Sequence, residues 1–459
     1  MPISLKKIAV LAALVEYALA APQWGHKGGN PWNHGGYNGG NDGDDGDDDT
    51  PKSDYYISLG PRPFYLVDNM TDSDLKRDLQ KCQNGPFDIT SFTIGHRGGG
   101  TLQFPEETVQ STNAGARMGA GILECDVSFT KDRGLVCRHS LCDLHTTTNI
   151  LTKPELAKKC TRPFRPANAT SPADAFCCTS DITVAEYLTL CGKQDGYNAS
   201  ARTPQDYQYG TPTWRTELYD TCGKVETLDS YITLVDSYPG FRNFTPELKT
   251  PPPEVPMPFN GTYTQEQYAR DFMDTFIRRG IHPDRVWSQS FNPPDIYQWI
   301  KEYPAYGKQA VFLDELGDTD LPGAIARLKT LHAKGVNIIS PPINYLLAPG
   351  GPNNKTIVPS EYAKTALASG LDIIAWTFER SGPLATVKSR GEYYFSSIAD
   401  IVSYDGQYYE ALDVLGRQIG IKAIFTDWAA TVTFYANCFG LDGPKSSDYK
   451  QFINGSYVN

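Results

Sequence analysis

Residues 95–140 decide how this chain reads: GHRGGG at 95–100, FPEETVQS at 104–111, and GAGILECDVSFTKDRGLVCRHS at 119–140. Residues 122–129 alternate around two carboxylates, Glu124 and Asp126. A spacing of two puts both on one face of a β-strand. Ile122, Leu123, Val127 and Phe129 surround them, so a core strand carries acid where an ordinary one carries Val or Leu. Like charges buried that closely are costly unless a cation or a base neutralises them.

The turn at 130–134, TKDRG, separates two apolar runs and suits a short hairpin whose Gly134 takes positive φ. Closure about Asp132 and Arg133 makes cross-strand partners sum to about 265, which sets Asp126 opposite His139. Upstream, the apolar run at 91–94 delivers His96 and Arg97 just before three glycines. Either histidine alone reads as an ordinary satisfied side chain. Both at strand ends, beside paired carboxylates and an arginine, read as a site.

With those residues in place, the sequence resembles the glycerophosphodiester phosphodiesterases. The family pattern HRG, PENT, E-x-D, T-K-D-G and H-D stands here as His96-Arg97-Gly98, PEET at 105–108, Glu124-Cys125-Asp126, TKDRG and His139-Ser140. Further matches keep their order downstream: PELK at 246–249, SQSF at 288–291, WTFE at 376–379 and FTDW at 425–428, so the resemblance covers roughly residues 88–435. Three positions depart: Glu107 for Asn, Ser140 for Asp and Glu379 for Asn.

The resemblance implies a metal-dependent phosphodiesterase. Its metal ligands would be Glu124, Asp126 and Glu247, its acid and base His96 and His139, and its phosphate contacts Arg97 and Lys249. Three carboxylates make a hard-oxygen site for one divalent cation, Ca²⁺ or Mg²⁺. Glu106 and Trp376 are candidates for the substrate pocket, Trp376 equally for a barrel-layer aromatic. Glu107 is read as a first-turn residue of the helix after Pro105, and Asp427 is given no role.

The rest of the chain fits a secreted protein. Its 459 residues are 40% hydrophobic and 12% aromatic. Residues 1–20 carry Lys6 and Lys7, an apolar run and a small-residue end, the pattern of a signal peptide. Residues 21–54 are Gly-, Asn- and Asp-rich and cannot bury enough apolar surface to order themselves. The net charge is −11; residues 21–50 contribute −5 and the leader +1, which leaves −7 for the remainder. A mildly acidic body argues against nucleic acid and anionic membranes as partners, and no later segment is apolar enough to span a bilayer. The C-terminal NGSYVN carries no lipid-anchor signal.

Ten cysteines in such a chain mean disulfides. Six fall between Cys142 and Cys222, in a segment rich in Pro, Thr and Asn. Residues 141–225 therefore read as a disulfide-rich insertion without a core of its own. A zinc site is disfavoured because no paired C-x-x-C occurs. Cys125 and Cys137 fall on the outer faces of the hairpin strands, as a pair or as buried thiols. Sequons at Asn69, Asn168, Asn198, Asn243, Asn260, Asn354 and Asn454 agree with secretion; Asn243, followed by Pro after its sequon, reads as unused.

Beyond the insertion, helices expected at 227–238, 264–280, 295–303, 321–335, 361–370 and 411–420 alternate with strands at 244–249, 286–291, 309–315, 336–340, 371–378 and 422–427. With the strands of His96 and Glu124 this makes eight parallel strands, a (β/α)8 barrel within residues 55–459. Such a barrel has its site at the C-terminal strand ends, where His96, Glu124, Asp126, Glu247, Lys249, Phe291, Trp376 and Asp427 all fall. The expected function is hydrolysis of a small glycerophosphodiester. Rival readings are a lysophospholipid or sphingolipid phosphodiesterase on the same barrel, a two-histidine iron oxygenase, and a non-catalytic surface protein that kept the fold.

Overall fold

The computed structural model describes residues 57–444. The expected leader, the Gly/Asn/Asp-rich segment and the Asn454 sequon lie outside them. Eight parallel strands form the centre: β1 (Thr90–Gly95), β2 (Ala120–Phe129), then, after the hairpin strand β3 (Leu135–Cys137), β4 (Asn243–Leu248), β5 (Gln289–Ser290), β6 (Val311–Leu313), β7 (Ile338–Ser340), β8 (Asp372–Phe378) and β9 (Ala423–Thr426). Each pairs with the next, and β1 pairs with both β9 and β2, so the barrel closes. Ile94, Ile122, Val311, Ile338, Ile374, Ala423 and Phe425 pack together inside it.

Helices follow the strands: α1 (Val109–Arg117), α2 (Leu228–Asp236), α3 (Gln265–Arg278), α4 (Pro293–Glu302), α5 (Gly317–Ala333), α6 (Glu361–Ala368), α7 (Gln407–Asp413) and α8 (Ala429–Phe439). Local chemistry starts several of them. The hydroxyls of Thr108, Thr227, Thr264 and Ser360 each accept the backbone N–H three residues on, satisfying a donor the helix leaves orphaned. On α3, Tyr268, Ala269, Phe272, Met273 and Phe276 form one buried stripe at helical period. α5 begins four residues earlier than the apolar pattern suggests. It tolerates Pro322 because Asp320 leaves helical geometry at φ −150°.

The hairpin register differs by one from the sequence expectation. Val127 faces Cys137, Ser128 faces Val136 and Phe129 faces Leu135, so partners sum to 264 and Asp126 lies opposite Arg138. The turn explains the shift. Thr130 N–H donates to Gly134 O at 2.9 Å and Arg133 N–H to Thr130 O at 2.8 Å, which centres the loop on Asp132. Arg133, rather than Gly134, takes the left-handed backbone, with φ 64°. This register puts Cys125 and Cys137 diagonally on one outer face, where they form a disulfide. His139 lies two residues past the last paired residue.

The insertion holds three disulfides, Cys142–Cys178, Cys160–Cys177 and Cys191–Cys222, and Cys82–Cys438 ties the barrel's two ends. Contrary to expectation, the insertion has an apolar core. Leu144, Ile150, Leu151, Ile182, Tyr187 and Tyr207 are buried together with Cys160 and Cys177. The core was obscured because its residues come singly from short helices and turns, with no period to mark them. Among the described residues no helix is long and apolar enough to cross a membrane. Asn243 is 1% exposed on β4, which removes it as an accessible glycan acceptor in the folded protein.

Candidate active site

The parallel register of β2 and β4 pairs Asp126 with Glu247 and Glu124 with Thr245. Oxygen atoms of Glu124, Asp126 and Glu247 thereby come within 4.8 Å of one another. At the end of β1 the chain turns sharply through His96 and Arg97, the latter at φ 51°, and Arg97 N–H donates to Glu124 Oε2 at 2.7 Å. Gly98 follows at φ 103°, and a Cβ there would meet Ser111 Oγ at 2.6 Å and Thr112 N at 2.7 Å. The glycine run thus lets α1 close onto the loop that carries His96.

His96, Arg97, Glu124, His139, Glu247 and Lys249 line one cavity of about 200 Å³. Phe291, Leu313, Trp376, Tyr394 and Phe425 add apolar and aromatic surface to its lining, with Phe425 against His96 and Phe291 under Lys249 Nζ. Trp376 lines the cavity and is also fixed in the barrel layer. Its indole N–H donates to Ser340 O at 2.8 Å, across to β7, while its ring lies edge-on to Phe291 at 5.7 Å. Glu106 is buried and accepts from Arg97 Nη1 at 2.8 Å, so it holds the arginine rather than lining the cavity.

The carboxylate cluster is short of positive charge. Asp126 is buried, yet neither of its oxygens accepts a hydrogen bond; Lys249 Nζ stands 3.6 Å and Arg97 Nε 3.7 Å away. Burial opposes Asp126's charge, but Lys249 and its other neighbours outweigh it and hold the carboxyl below the usual range. Glu247, 2.5 Å from Lys249 Nζ, is nevertheless pushed up to about 8, by burial and by Asp126. Burial, Asp126 and Glu247 push Glu124 well up as well. Three buried hard-oxygen donors, with both Asp126 oxygens orphaned and with Glu124 and Glu247 raised in proton affinity, fit a divalent cation. Gln289, which SQSF singled out without a role, donates Nε2–H to Glu124 Oε1 at 2.7 Å.

The two histidines differ in their holding. His96 Nδ1 bonds Asp427 Oδ1 at 2.5 Å, with Nε2 3.9 Å from Glu124. Burial lowers His96 to about 4, with Asp427 opposing the shift. His139 is lowered too, by burial and then by the cations Arg97 and Lys249. Asp427 Oδ2 accepts from Arg215 Nη2 at 2.8 Å and Arg380 Nη1 at 3.0 Å. Burial opposes the Asp427 charge, and Arg380, His96 and Arg215 hold the carboxyl below its ordinary range.

Glu107 is not a helix cap. It is buried at φ 56°, outside α1, and accepts from Asp126 N–H at 3.3 Å. Glu379, the third departure from the family pattern, turns away from the cavity to Arg62, which donates Nε–H at 2.9 Å, and to Thr431. Asp427 was visible in FTDW but its partner was not, because the contact with His96 joins the two ends of the barrel. Arg380 and Arg215 carried no sequence signal, since both sit in loops.

The chain matches the glycerophosphoryl diester phosphodiesterase family over residues 96–431. It is 46% identical over 250 residues to a protein of Arthroderma benhamiae described as an extracellular protein, a match covering 54% of this chain and 100% of that one. It is 28% identical over 191 residues to glycerophosphodiester phosphodiesterase GDPD6 of Arabidopsis thaliana, covering 41% of this chain and 43% of the relative. A solved phosphodiesterase of Oleispira antarctica, in complex with sn-glycerol-3-phosphate, aligns at TM-score 0.42 and 13% identity, over 77% of this chain and 98% of that one. By the extent of the family match, this chain belongs to the glycerophosphoryl diester phosphodiesterase family and is a phosphoric diester hydrolase.

Proposed function

We propose that the protein is a secreted, divalent-cation-dependent hydrolase that cleaves small glycerophosphodiesters to glycerol phosphate and an alcohol. One observation carries this reading: Glu124, Asp126 and Glu247 converge within 4.8 Å beside a cavity that His96 and His139 also line. A cation held by those three carboxylates, Ca²⁺ or Mg²⁺, would supply electrostatic stabilisation of the phosphoryl oxygens. The half-open cavity of about 200 Å³ has room for a glycerophosphodiester with a small alcohol. Secretion is supported by the leader pattern, by five disulfides and by the name of the Arthroderma relative.

In this reading Arg97 and Lys249 bind the phosphate anion. The substrate hydroxyl next to the phosphate attacks phosphorus while one histidine accepts its proton. The phosphorus–oxygen bond to the leaving alcohol breaks, and the other histidine donates the proton that alcohol needs. Water then opens the cyclic phosphate with the two histidines exchanging roles. Each proton transfer contributes about 10²–10⁴-fold. Phe291, Leu313 and Trp376 add apolar surface to the lining of the same cavity.

The test is turnover of glycerophosphocholine and lysophosphatidylcholine by purified secreted protein in Ca²⁺ or Mg²⁺, with ³¹P NMR of the products. Glycerol phosphate from the first substrate is expected. Turnover of the lysolipid alone would transfer the assignment to the lipid phosphodiesterase reading, and turnover of neither would overturn it.

A further inference from the structure

We infer that the disulfide-rich insertion is a working part of the site, with Arg215 as a positioning residue that holds His96 through Asp427. The inference rests on the role proposed for His96.

Arg215 lies far along the insertion, yet it is only 7% exposed and ends on the carboxylate that grips the histidine. The two oxygens of Asp427 divide their work. Oδ1 holds His96 Nδ1, and Oδ2 takes both Arg215 and Arg380. Arg380 is shared, because its Nη2 also reaches Glu106 at 3.4 Å. The hydrogen bond from the Arg215 guanidinium goes to Asp427. A carboxylate fixed at Oδ2 from two directions cannot rotate its Oδ1 away from the imidazole, and imidazole orientation decides where the proton is exchanged.

The segment that delivers Arg215 is built to stay in place. Its base is closed by Cys191–Cys222 and by the short ladder pairing Cys191 with Lys224 and Gly192 with Gly223. From there Gln194, 1% exposed, donates through Nε2 to Thr101 O at 3.1 Å, Phe104 O at 3.1 Å and Thr216 O at 2.9 Å. Thr216 N–H donates to Leu102 O at 2.9 Å. The guanidinium of Arg390 covers the Trp214 ring at 4.5 Å. Trp214, Arg215 and Thr216 are thus clamped between the loop after β1 and the loop after β8, with Arg215 aimed at Asp427.

The test uses the full disulfide-intact chain, saturated with divalent cation, on the glycerophosphodiester that the parent turns over. Arg215→Ala is expected to lower kcat by about tenfold to a hundredfold while KM moves less than about threefold, because Arg215 does not line the cavity. Guanidinium ion at tens of millimolar should restore part of the lost kcat to Arg215→Ala and none to His96→Ala. Arg215→Lys should fall between parent and Ala. A kcat within about twofold of the parent overturns the inference, as does a loss that guanidinium leaves unchanged. If Arg215→Ala is not secreted folded, Arg215→Lys with unchanged melting carries the same comparison, and a parental kcat there overturns the inference. An inactive parent would instead strike the proposed function.

Discussion

Glu124 and Arg215 belong to one cluster of side chains but are held there by different means. Glu124 is fixed by a sheet ladder: its strand pairs with β1 and β4, and its position follows from register. Arg215 is fixed by a disulfide, a buried glutamine and a few bonds from one loop to another. Side chains on a ladder announce themselves by period, and those on a stapled loop do not. The comparison also divides the chemistry. The barrel supplies the groups that would meet cation and phosphate, while the insertion supports one that would move a proton.

The largest effect belongs to the barrel half. Removing divalent cations by exhaustive chelation should abolish turnover, and Ca²⁺ or Mg²⁺ should restore it, because Asp126's orphaned oxygens and the raised Glu124 and Glu247 leave the cluster short of positive charge. Glu124→Gln should weaken cation affinity, read by calorimetry, without preventing secretion. Full activity in metal-free protein, checked by elemental analysis, would sink the cation assignment.

Next come the histidines, one pinned by Asp427 and one carried past the end of a hairpin. Either change to Ala should cut turnover of a glycerophosphodiester by about two orders of magnitude or more, and the double variant little more than one alone, since a concerted pair acts as a unit. Melting and metal content should stay at parental values. If His139→Ala turned over at the parental rate, the two-histidine mechanism would fail.

What the sequence made legible follows the same division. The alternation around Glu124 and Asp126, the helix–strand alternation after residue 225 and the placement of Glu247 and Lys249 depend on local period, and the barrel has them where expected. The hairpin register was off by one because five turn residues admit two closures, and only the Thr130 bonds choose between them. Glu107 looked like a cap because Pro-Glu-Glu before an apolar run is a helix-start pattern. Here Thr108 does the capping, and Glu107 turns inward on left-handed backbone. Arg215 and Gln194 are illegible because Asp427 lies 212 residues from the first, and Thr101 and Phe104 lie 93 and 90 residues from the second.

A smaller effect tests whether insertion and barrel are one body. Thr179 hydroxyl donates to Phe129 O at 2.7 Å and Tyr187 hydroxyl to Cys137 O at 2.8 Å, both across to the hairpin. Calorimetry should therefore show one transition for the described fold. Leu144→Ala, in the insertion's core and fully buried, should lower that single transition, at a cost of about 2–5 kcal/mol. Two transitions, only one of them moved by Leu144→Ala, would show that the insertion is an independent appendage.

The smallest effect lies at the seam where the insertion returns to the barrel. Glu226 is 4% exposed; its main-chain carbonyl accepts from Cys137 N–H at 3.0 Å, while among the described residues its carboxyl is met by Ser230 Oγ at 3.5 Å. Burial pushes that carboxyl up to about 7, with Lys224 opposing. The folded protein therefore binds this proton more tightly than the unfolded chain does. The resulting stability is fully present below the ordinary glutamate range, about 4.3, and is lost as pH rises through 7. Glu226→Gln has no such dependence. Its stability relative to the parent should rise between about pH 4.5 and 7 and level off above, by about 2–3 kcal/mol in all. Denaturant melts of parent and variant at pH 4.5, 6 and 8 measure this directly. A difference that does not change with pH would mean that Glu226 is solvated in the folded protein, and that the insertion meets the barrel less closely at its exit than it does at Arg215.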